Sequence, residues 1–415
     1  MNDKIIEKID DLYLVFFPSN GYFTICLNYE DAQNATNEGK TLNPVSIYES
    51  PSMYTLHITN RCNLYCDYCF ANSSIKNNID MDKGILELII RRIAETQSSQ
   101  ICIDFHGGEP LVRFDLIEYC LFLCDNHLKE KEVTFTIQTN GTLINEKICR
   151  VFKEREFVVG ISLDGPQHIH DRNRKYESGK GSFSQVMNGI ELLRKHKIPF
   201  SIISVVTDPE EMKESYSFFL EQAINRVKFL PVMPQGRAQK QLLDLEKYAE
   251  SEGELLQLEL NSSKPVLLMS TYFMLRKILY VDNSYMCMRN PCGAGINIIS
   301  FDEKGTIFPC DSMSGINSVE NFSFGNIKEQ NLELYKLRTW ENFICNTKNV
   351  AESCNMCQYR NICCGGCKSD VLNVYGNLYN PSPLCKYYKN ILHQYYVMIV
   401  KSPDKIIKYM RKFKL

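Results

Sequence analysis

The chain has 415 residues, 44% hydrophobic and 11% aromatic, and its 47 basic and 49 acidic side chains leave a net charge of −2. That length is too great for one ordinary domain and suits a large barrel with an appended module. Opposite charges are interspersed, which gives no electrostatic basis for binding nucleic acid or a membrane surface; only Lys401 to Leu415 is clearly basic, and it reads as a solvated terminal helix. At the N-terminus, the apolar run Leu12 to Phe17 is too short for a signal sequence, and no later stretch approaches transmembrane length, so a cytoplasmic protein is expected.

In chain order, Tyr13–Phe17 and Tyr22–Asn28 read as a β-hairpin across Pro18-Ser19-Asn20-Gly21, within an N-terminal extension of residues 1–50. Six apolar, β-rich runs follow at Tyr54–Thr59, Ile101–His106, Val133–Thr139, Val158–Leu163, Phe200–Val206 and Val227–Val232. Helical patterns separate them at Met81–Glu95, Phe114–Lys129, Glu146–Glu154, Phe183–His196 and Glu210–Gln222. Strand–helix alternation at this spacing predicts parallel βα units, and six units are too few for a closed eight-fold barrel. The expected fold class is therefore α/β, a partial (β/α)6 barrel over residues 51–232 whose chemistry lies on loops after the strand ends. Residues 233–286 read as a helical connector, 287–385 as a second module rich in Cys, Gly and turns, and 386–415 as a return to helix.

Eighteen cysteines stand out. In a reducing compartment clustered cysteines read first as metal ligands. After the first strand, Cys62, Cys66 and Cys69 form a CxxxCxxC loop. Such a loop can wrap a compact inorganic core, and three thiolates leave one iron of a [4Fe–4S] cube open to an incoming ligand. A structural zinc would want a fourth ligand, and the next cysteine, Cys102, lies on a predicted strand. After strand two comes His106-Gly107-Gly108-Glu109-Pro110, after strand three Gln138-Thr139-Asn140-Gly141, and after strand four Ser162-Leu163-Asp164-Gly165-Pro166, then His170, Asp171 and Arg174. Each alone is ordinary turn chemistry; together, on successive strand ends, they resemble the radical S-adenosylmethionine (SAM) superfamily. That resemblance implies SAM chelated to the open iron and cleaved to a 5′-deoxyadenosyl radical. It implies SAM contacts from Gly107, Gly108, Glu109, Gln138, Asn140, Ser162, Asp164 and Arg174. Of these, Glu109 accepts from the SAM ammonium, and Asp164 is a ribose contact or a structural cap.

The later cysteines run Cys292, Cys310, Cys354, Cys357, Cys363, Cys367 and Cys385, with Cys287 just upstream. By spacing alone, four thiolates suit zinc as well as iron–sulfur. The pattern resembles the SPASM domain, the auxiliary-cluster module of peptide-modifying radical SAM enzymes. The resemblance implies one auxiliary cluster on Cys287, Cys292, Cys310 and Cys367 and another on Cys354, Cys357, Cys363 and Cys385, three [4Fe–4S] clusters in all. Between the adjacent Cys363 and Cys364 the spacing favours Cys363 as the ligand, leaving Cys364 as an extra thiol beside the cluster. The other cysteines (Cys26, Cys102, Cys120, Cys124, Cys149 and Cys345) default to core packing.

The SPASM resemblance implies a peptide or protein substrate and a small electron donor such as flavodoxin or ferredoxin. The first expectation is a maturase that forms a thioether or carbon–carbon cross-link in a ribosomally made precursor peptide, with residues 1–50 available for leader docking by strand addition. The alternative is an anaerobic sulfatase-type maturase that converts Cys or Ser to formylglycine. It draws on Ile137–Ile144, on Val159–Pro166, and on Asp311, which follows Cys310 where those enzymes carry a candidate base; His106 stands where they are expected to carry Gln. A third reading, from a different class, is a zinc-stapled binding module without catalysis.

Overall fold

The computed structural model describes residues 4–39, 50–264, 266–280, 282, 284–314, 322–329, 331–348 and 351–413. The first elements are β1 (Ile5–Ile9), β2 (Leu12–Phe17), β3 (Tyr22–Cys26) and α1 (Tyr29–Asn34). Alternation then begins with β4 (Met53–His57), α2 (Lys83–Ala94), β5 (Gln100–His106), α3 (Phe114–His127), β6 (Glu132–Thr139) and α4 (Glu146–Glu154). It continues through β7 (Val158–Ser162), α5 (Gln167–Asn173), α6 (Phe183–Lys195), β8 (Phe200–Val206), α7 (Met212–Glu221) and β9 (Arg226–Pro231). Next come α8 (Leu245–Asn261), β10 (Leu267–Leu268), α9 (Met269–Tyr280), β11 (Ile298–Phe301) and β12 (Ile307–Phe308). Five helices close the order: α10 (Arg338–Lys348), α11 (Arg360–Cys363), α12 (Lys368–Tyr375), α13 (Cys385–Lys401) and α14 (Pro403–Lys412).

By contacts the chain forms two compact units. One comprises Ile47–Leu243 and Ala294–Ile344; the other comprises Met1–Ser46, Asp244–Gly293 and Cys345–Leu415. In the first, the sheet runs β9-β8-β7-β6-β5-β4-β11-β12, parallel from β9 to β11, with β12 antiparallel at the edge. The six expected strands are all present, and the parallel α/β fold class is as read. β11 is an addition: Ile298–Phe301 pairs with Met53–Leu56 from within a region read as turns. Four residues between glycine- and asparagine-rich segments are too few to carry a periodic signal, although all four are buried.

Side-chain alternation sets the two sheet faces apart. Tyr54 and Leu56 on β4, Ile103 and Phe105 on β5, and Phe135 and Ile137 on β6 are buried apolar residues. The opposite face carries Thr55, His57, Asp104, His106, Thr136 and Gln138. Helix α2 presents Ile85, Leu86, Ile89, Ile90 and Ile93 as one buried stripe, each side chain contributing about 1.5–3 kcal/mol on full burial. Its N-terminus is capped by Asp82, which accepts from Gly84 N–H, as Asn145 caps α4 by accepting from Ile148 N–H.

In the second unit, β1, β2 and β3 form an antiparallel sheet with β2 in the centre. The expected hairpin is β2–β3, closed by Asn20 and Gly21 donating to Phe17 C=O with Gly21 at φ +77°. β1 and α1 are additions to it. The remainder is helical. Glu252 of α8 is buried and accepts from Tyr387 and Tyr395 of α13 and Thr271 of α9, so the carboxylate ties three helices together. No helix among the described residues is long and apolar enough to cross a membrane.

Candidate active site

The cysteine loop after β4 is held by backbone bonds to the loop after α5. Tyr65 N–H donates to Lys175 C=O at 2.7 Å, and Asp67 N–H donates to Asn173 C=O at 3.0 Å. Cys62 is buried and Cys66 and Cys69 are half-buried; none of the eighteen cysteines forms a disulfide. Burial pushes the Cys66 thiol up to about 11, with Cys69 adding to the rise against Arg174. Burial also drives Cys62 far above the usual thiol range, with Glu109, Cys66 and Cys69 adding to it. The three sulfurs are thus within electrostatic reach of one another, though among the described residues no three Cys, His, Asp or Glu side chains are converged as for a bound metal ion. As donors they fit an iron–sulfur core: soft thiols on one short loop, desolvated, which a bound cation would deprotonate.

The glycines after β5 serve a close approach, and the nearest backbone is the cysteine loop's own. Gly107 sits at φ +125°, where a Cβ would meet Thr59 O at 2.3 Å; at Gly108 a Cβ would meet Arg61 O at 2.2 Å. Gly108 and Glu109 donate from their backbones to Thr59 and Arg61 C=O, each at 2.8 Å. Gly108→Ala therefore has to push these backbones away from each other. We expect a loss of about 1–3 kcal/mol, read by chemical denaturation.

Other residues expected at the cofactor largely engage one another. Glu109 is buried and accepts from Leu111 N–H, Thr139 Oγ1 and Asn140 N–H. Asn140 donates to Asn63 Oδ1 at 2.9 Å and toward Cys62 Sγ at 3.9 Å. Gln138 Nε2 donates to Ser162 Oγ at 3.1 Å. Asp164 accepts from Arg174 Nε and from the Tyr68 hydroxyl, and Arg174 lies over the Tyr68 ring at 5.2 Å. The chain thus ties Glu109 and Asn140 to the cysteine loop at Asn63 and Cys62, and Asp164 and Arg174 to the same loop at Tyr68.

The sequence reading missed Arg237. Following Gly236 (φ +57°) after β9, it donates from Nε to Cys66 C=O at 2.6 Å and from Nη1 to Ser73 C=O at 3.0 Å, and stacks on Tyr65 at 4.1 Å. The available signal was a cation directly after a glycine at the end of the last barrel strand.

His170 is fully buried and neutral. Its Nδ1 accepts from Asp164 N–H at 3.3 Å, while Nε2 lies 2.9 Å from Ser182 Oγ, whose own proton goes to Arg174 C=O. Burial lowers its pKa to about 4. An unfolded histidine near 6.5 takes up a proton that the folded one refuses, so stability is lost as pH falls from 6.5 toward 4. We expect the stability deficit of His170→Gln relative to the parent to shrink by about 1.4 kcal/mol per pH unit across that window, measured by paired denaturation curves.

In the other unit, Cys287 and Cys292 lie within electrostatic reach of Cys367, whose thiol burial pushes far above its usual value. Burial pushes Cys363 up to about 12, with Cys364, Cys354 and Cys385 adding; Cys385 in turn feels Cys354 and Cys357. Cys364 is buried and accepts from the buried Lys277 Nζ at 2.9 Å, so its sulfur is engaged elsewhere. Cys310 follows β12 in the barrel-bearing unit, with Asp311 on the next turn. Of the cysteines assigned to packing, Cys120, Cys124 and Cys149 are buried, Cys26 and Cys102 half-buried, and Cys345 exposed.

Comparison with known proteins agrees with this chemistry. Residues 56–219 match the radical SAM superfamily. A cysteine-type anaerobic sulfatase-maturating enzyme of Clostridium novyi is 29% identical over 83% of this chain and 95% of that protein. The native structure of anSMEcpe with bound AdoMet and the Cp18Cys peptide matches at a TM-score of 0.72 and 25% identity, covering 88% of this chain and all of that one. SuiB of Streptococcus suis, bound to precursor peptide SuiA, shares the fold at a TM-score of 0.62 over 93% and 99% of the two chains, with 15% identity. The chain therefore carries a radical SAM domain at residues 56–219, is homologous to the anaerobic sulfatase-maturating enzymes, and is an enzyme.

Proposed function

We propose that this enzyme oxidises a cysteine or serine side chain of a peptide or protein substrate to formylglycine. The observation that carries the reading is likeness to a sulfatase-maturating enzyme across 83% of this chain and 95% of that protein's length. SAM and its [4Fe–4S] cluster, when bound, supply the 5′-deoxyadenosyl radical. In this proposal Cys62, Cys66 and Cys69 hold that cluster, and Gly107, Gly108, Glu109, Gln138, Asn140, Ser162, Asp164 and Arg174 shape the SAM pocket. Asp311 takes the proton of the substrate side chain. Cys287, Cys292, Cys310 and Cys367, and separately Cys354, Cys357, Cys363 and Cys385, would hold two auxiliary clusters, which would supply an electron path to a flavodoxin- or ferredoxin-type partner. The linear plan of extension, barrel (51–232), connector, SPASM module (287–385) and terminal helix belongs to the same proposal.

A second reading is thioether or carbon–carbon cross-linking of a precursor peptide. It is favoured by the N-terminal sheet, whose order β1-β2-β3 makes β1 and β3 its edges, either of which could accept a leader strand. Anaerobic reconstitution with SAM, reductant and a cysteine-containing sulfatase-motif peptide separates the two by mass spectrometry. Formylglycine with loss of the peptide's sulfur is the expected result. SAM cleavage with the peptide returned unchanged would sink the first reading and direct the search to cysteine-rich precursor peptides.

A further inference from the structure

His57 ends β4, His106 ends β5, and strand register sets them directly opposite each other. Their ring centroids are 5.5 Å apart with the planes at 32°. One position lower on the same face, Asp104 is opposite Thr55, and its oxygens accept from Thr136 Oγ1 at 2.5 Å and Thr55 Oγ1 at 3.4 Å. The carboxylate beneath is thus satisfied by the chain. The imidazole above it is not: His57 is 5% exposed, and its buried Nε2 has no hydrogen-bond partner among the described residues. Asp311 lies within electrostatic reach of both His57 and Asp104, so this nitrogen belongs to the face where substrate chemistry is proposed.

A histidine that merely fills a core satisfies both ring nitrogens, as His170 does with Asp164 N–H and Ser182. Burial and the adjacent His106 hold His57 near a pKa of about 3, so the ring is neutral, with one donor and one acceptor nitrogen. Two imidazoles and two carboxylates suggest a cation site, but among the described residues no three such groups converge. The partner this geometry asks for is a small, neutral hydrogen-bonding group, which a cysteine thiol or serine hydroxyl supplies.

We propose that His57, set beside His106, hydrogen-bonds through Nε2 to the thiol or hydroxyl of the residue being oxidised and so sets the preference for cysteine or serine over an apolar side chain. This rests on the cysteine-or-serine reading given above.

The test is binding of three synthetic peptides to SAM-loaded holoenzyme under anaerobic conditions. One is the cysteine-containing sulfatase-motif peptide, and the others carry serine or alanine at that position. The parent enzyme is expected to bind the cysteine or serine peptide about 10- to 100-fold more tightly than the alanine peptide, the range for a buried polar group left unpaired. His57→Phe, which keeps an aromatic ring against His106, should bring the three peptides near parity. His57→Leu provides a second variant should the first misfold, and His57→Gln should recover some of the preference. Each comparison is a ratio within one variant, so a general loss of folded protein cancels. Undiminished preference in both Phe and Leu variants overturns this inference and leaves the proposed function standing. A parent enzyme that binds all three peptides alike also overturns this inference, whereas the proposed function itself fails only if the cysteine peptide is returned without formylglycine.

Discussion

Asp164→Ala is expected to cost about 3–5 kcal/mol of folding free energy and to lower iron incorporation sharply, because it strands a buried cation. Asp164 is 2% exposed and Arg174 7%. The carboxylate accepts from Arg174 Nε at 3.1 Å to each oxygen, from Val205 N–H at 3.0 Å and from the Tyr68 hydroxyl. Burial alone would lower the Arg174 pKa, but Asp164, Tyr68 and Cys66 outweigh it and raise it above the usual guanidinium range. Alanine removes the countercharge and the acceptor together. Asp164→Asn keeps an acceptor for Val205 N–H and should cost less, which separates hydrogen bonding from charge. Tyr68 lies between Cys66 and Cys69, so the loss should reach the cysteine loop. Denaturation of the metal-free protein reads the first effect, and iron per chain after reconstitution reads the second.

That pair also marks where the sequence could be read and where it could not. Alternating Tyr-Thr-Leu-His and Ile-Cys-Ile-Asp-Phe-His patterns fix strand, face and strand end, because a period of two is local. The cysteine spacing and the Gly-Gly-Glu-Pro turn are equally local, and each lies at a strand end as expected. What Asp164 and Arg174 bond to is not local. A strand-end carboxylate and an arginine ten residues on suit a ligand as well as each other, and only the folded chain pairs them over Tyr68. What Arg237 bonds to is likewise non-local: its partners, the Cys66 and Ser73 carbonyls, are more than 160 residues away. The unpaired Nε2 of His57 depends on what fails to reach it, and no sequence pattern encodes that.

Glu109→Ala should be the other severe lesion, with a loss of at least about 3 kcal/mol, since three donors aimed at one buried carboxylate lose their acceptor and each costs about 1–3 kcal/mol. Oε1 accepts from Leu111 N–H at 3.0 Å and Thr139 Oγ1 at 2.7 Å, and Oε2 from Asn140 N–H at 2.7 Å. Oε2 has lone-pair capacity left, so a structural staple and a contact to the SAM ammonium are compatible roles. Burial raises the Glu109 pKa although these donors pull it down. An acid whose folded pKa lies above its unfolded one stabilises the fold in acid, and that stability is lost as pH rises through the folded value. Glu109→Gln is neutral throughout. Its deficit relative to the parent should therefore shrink as pH rises from about 4.3 through the raised value and then level off, measured by paired denaturation curves. At neutral pH the same variant should still bind SAM more weakly, because an amide oxygen replaces a carboxylate facing a cation. Unchanged SAM affinity in a stable Glu109→Gln protein would reduce Glu109 to the staple that holds Asn140 against Cys62.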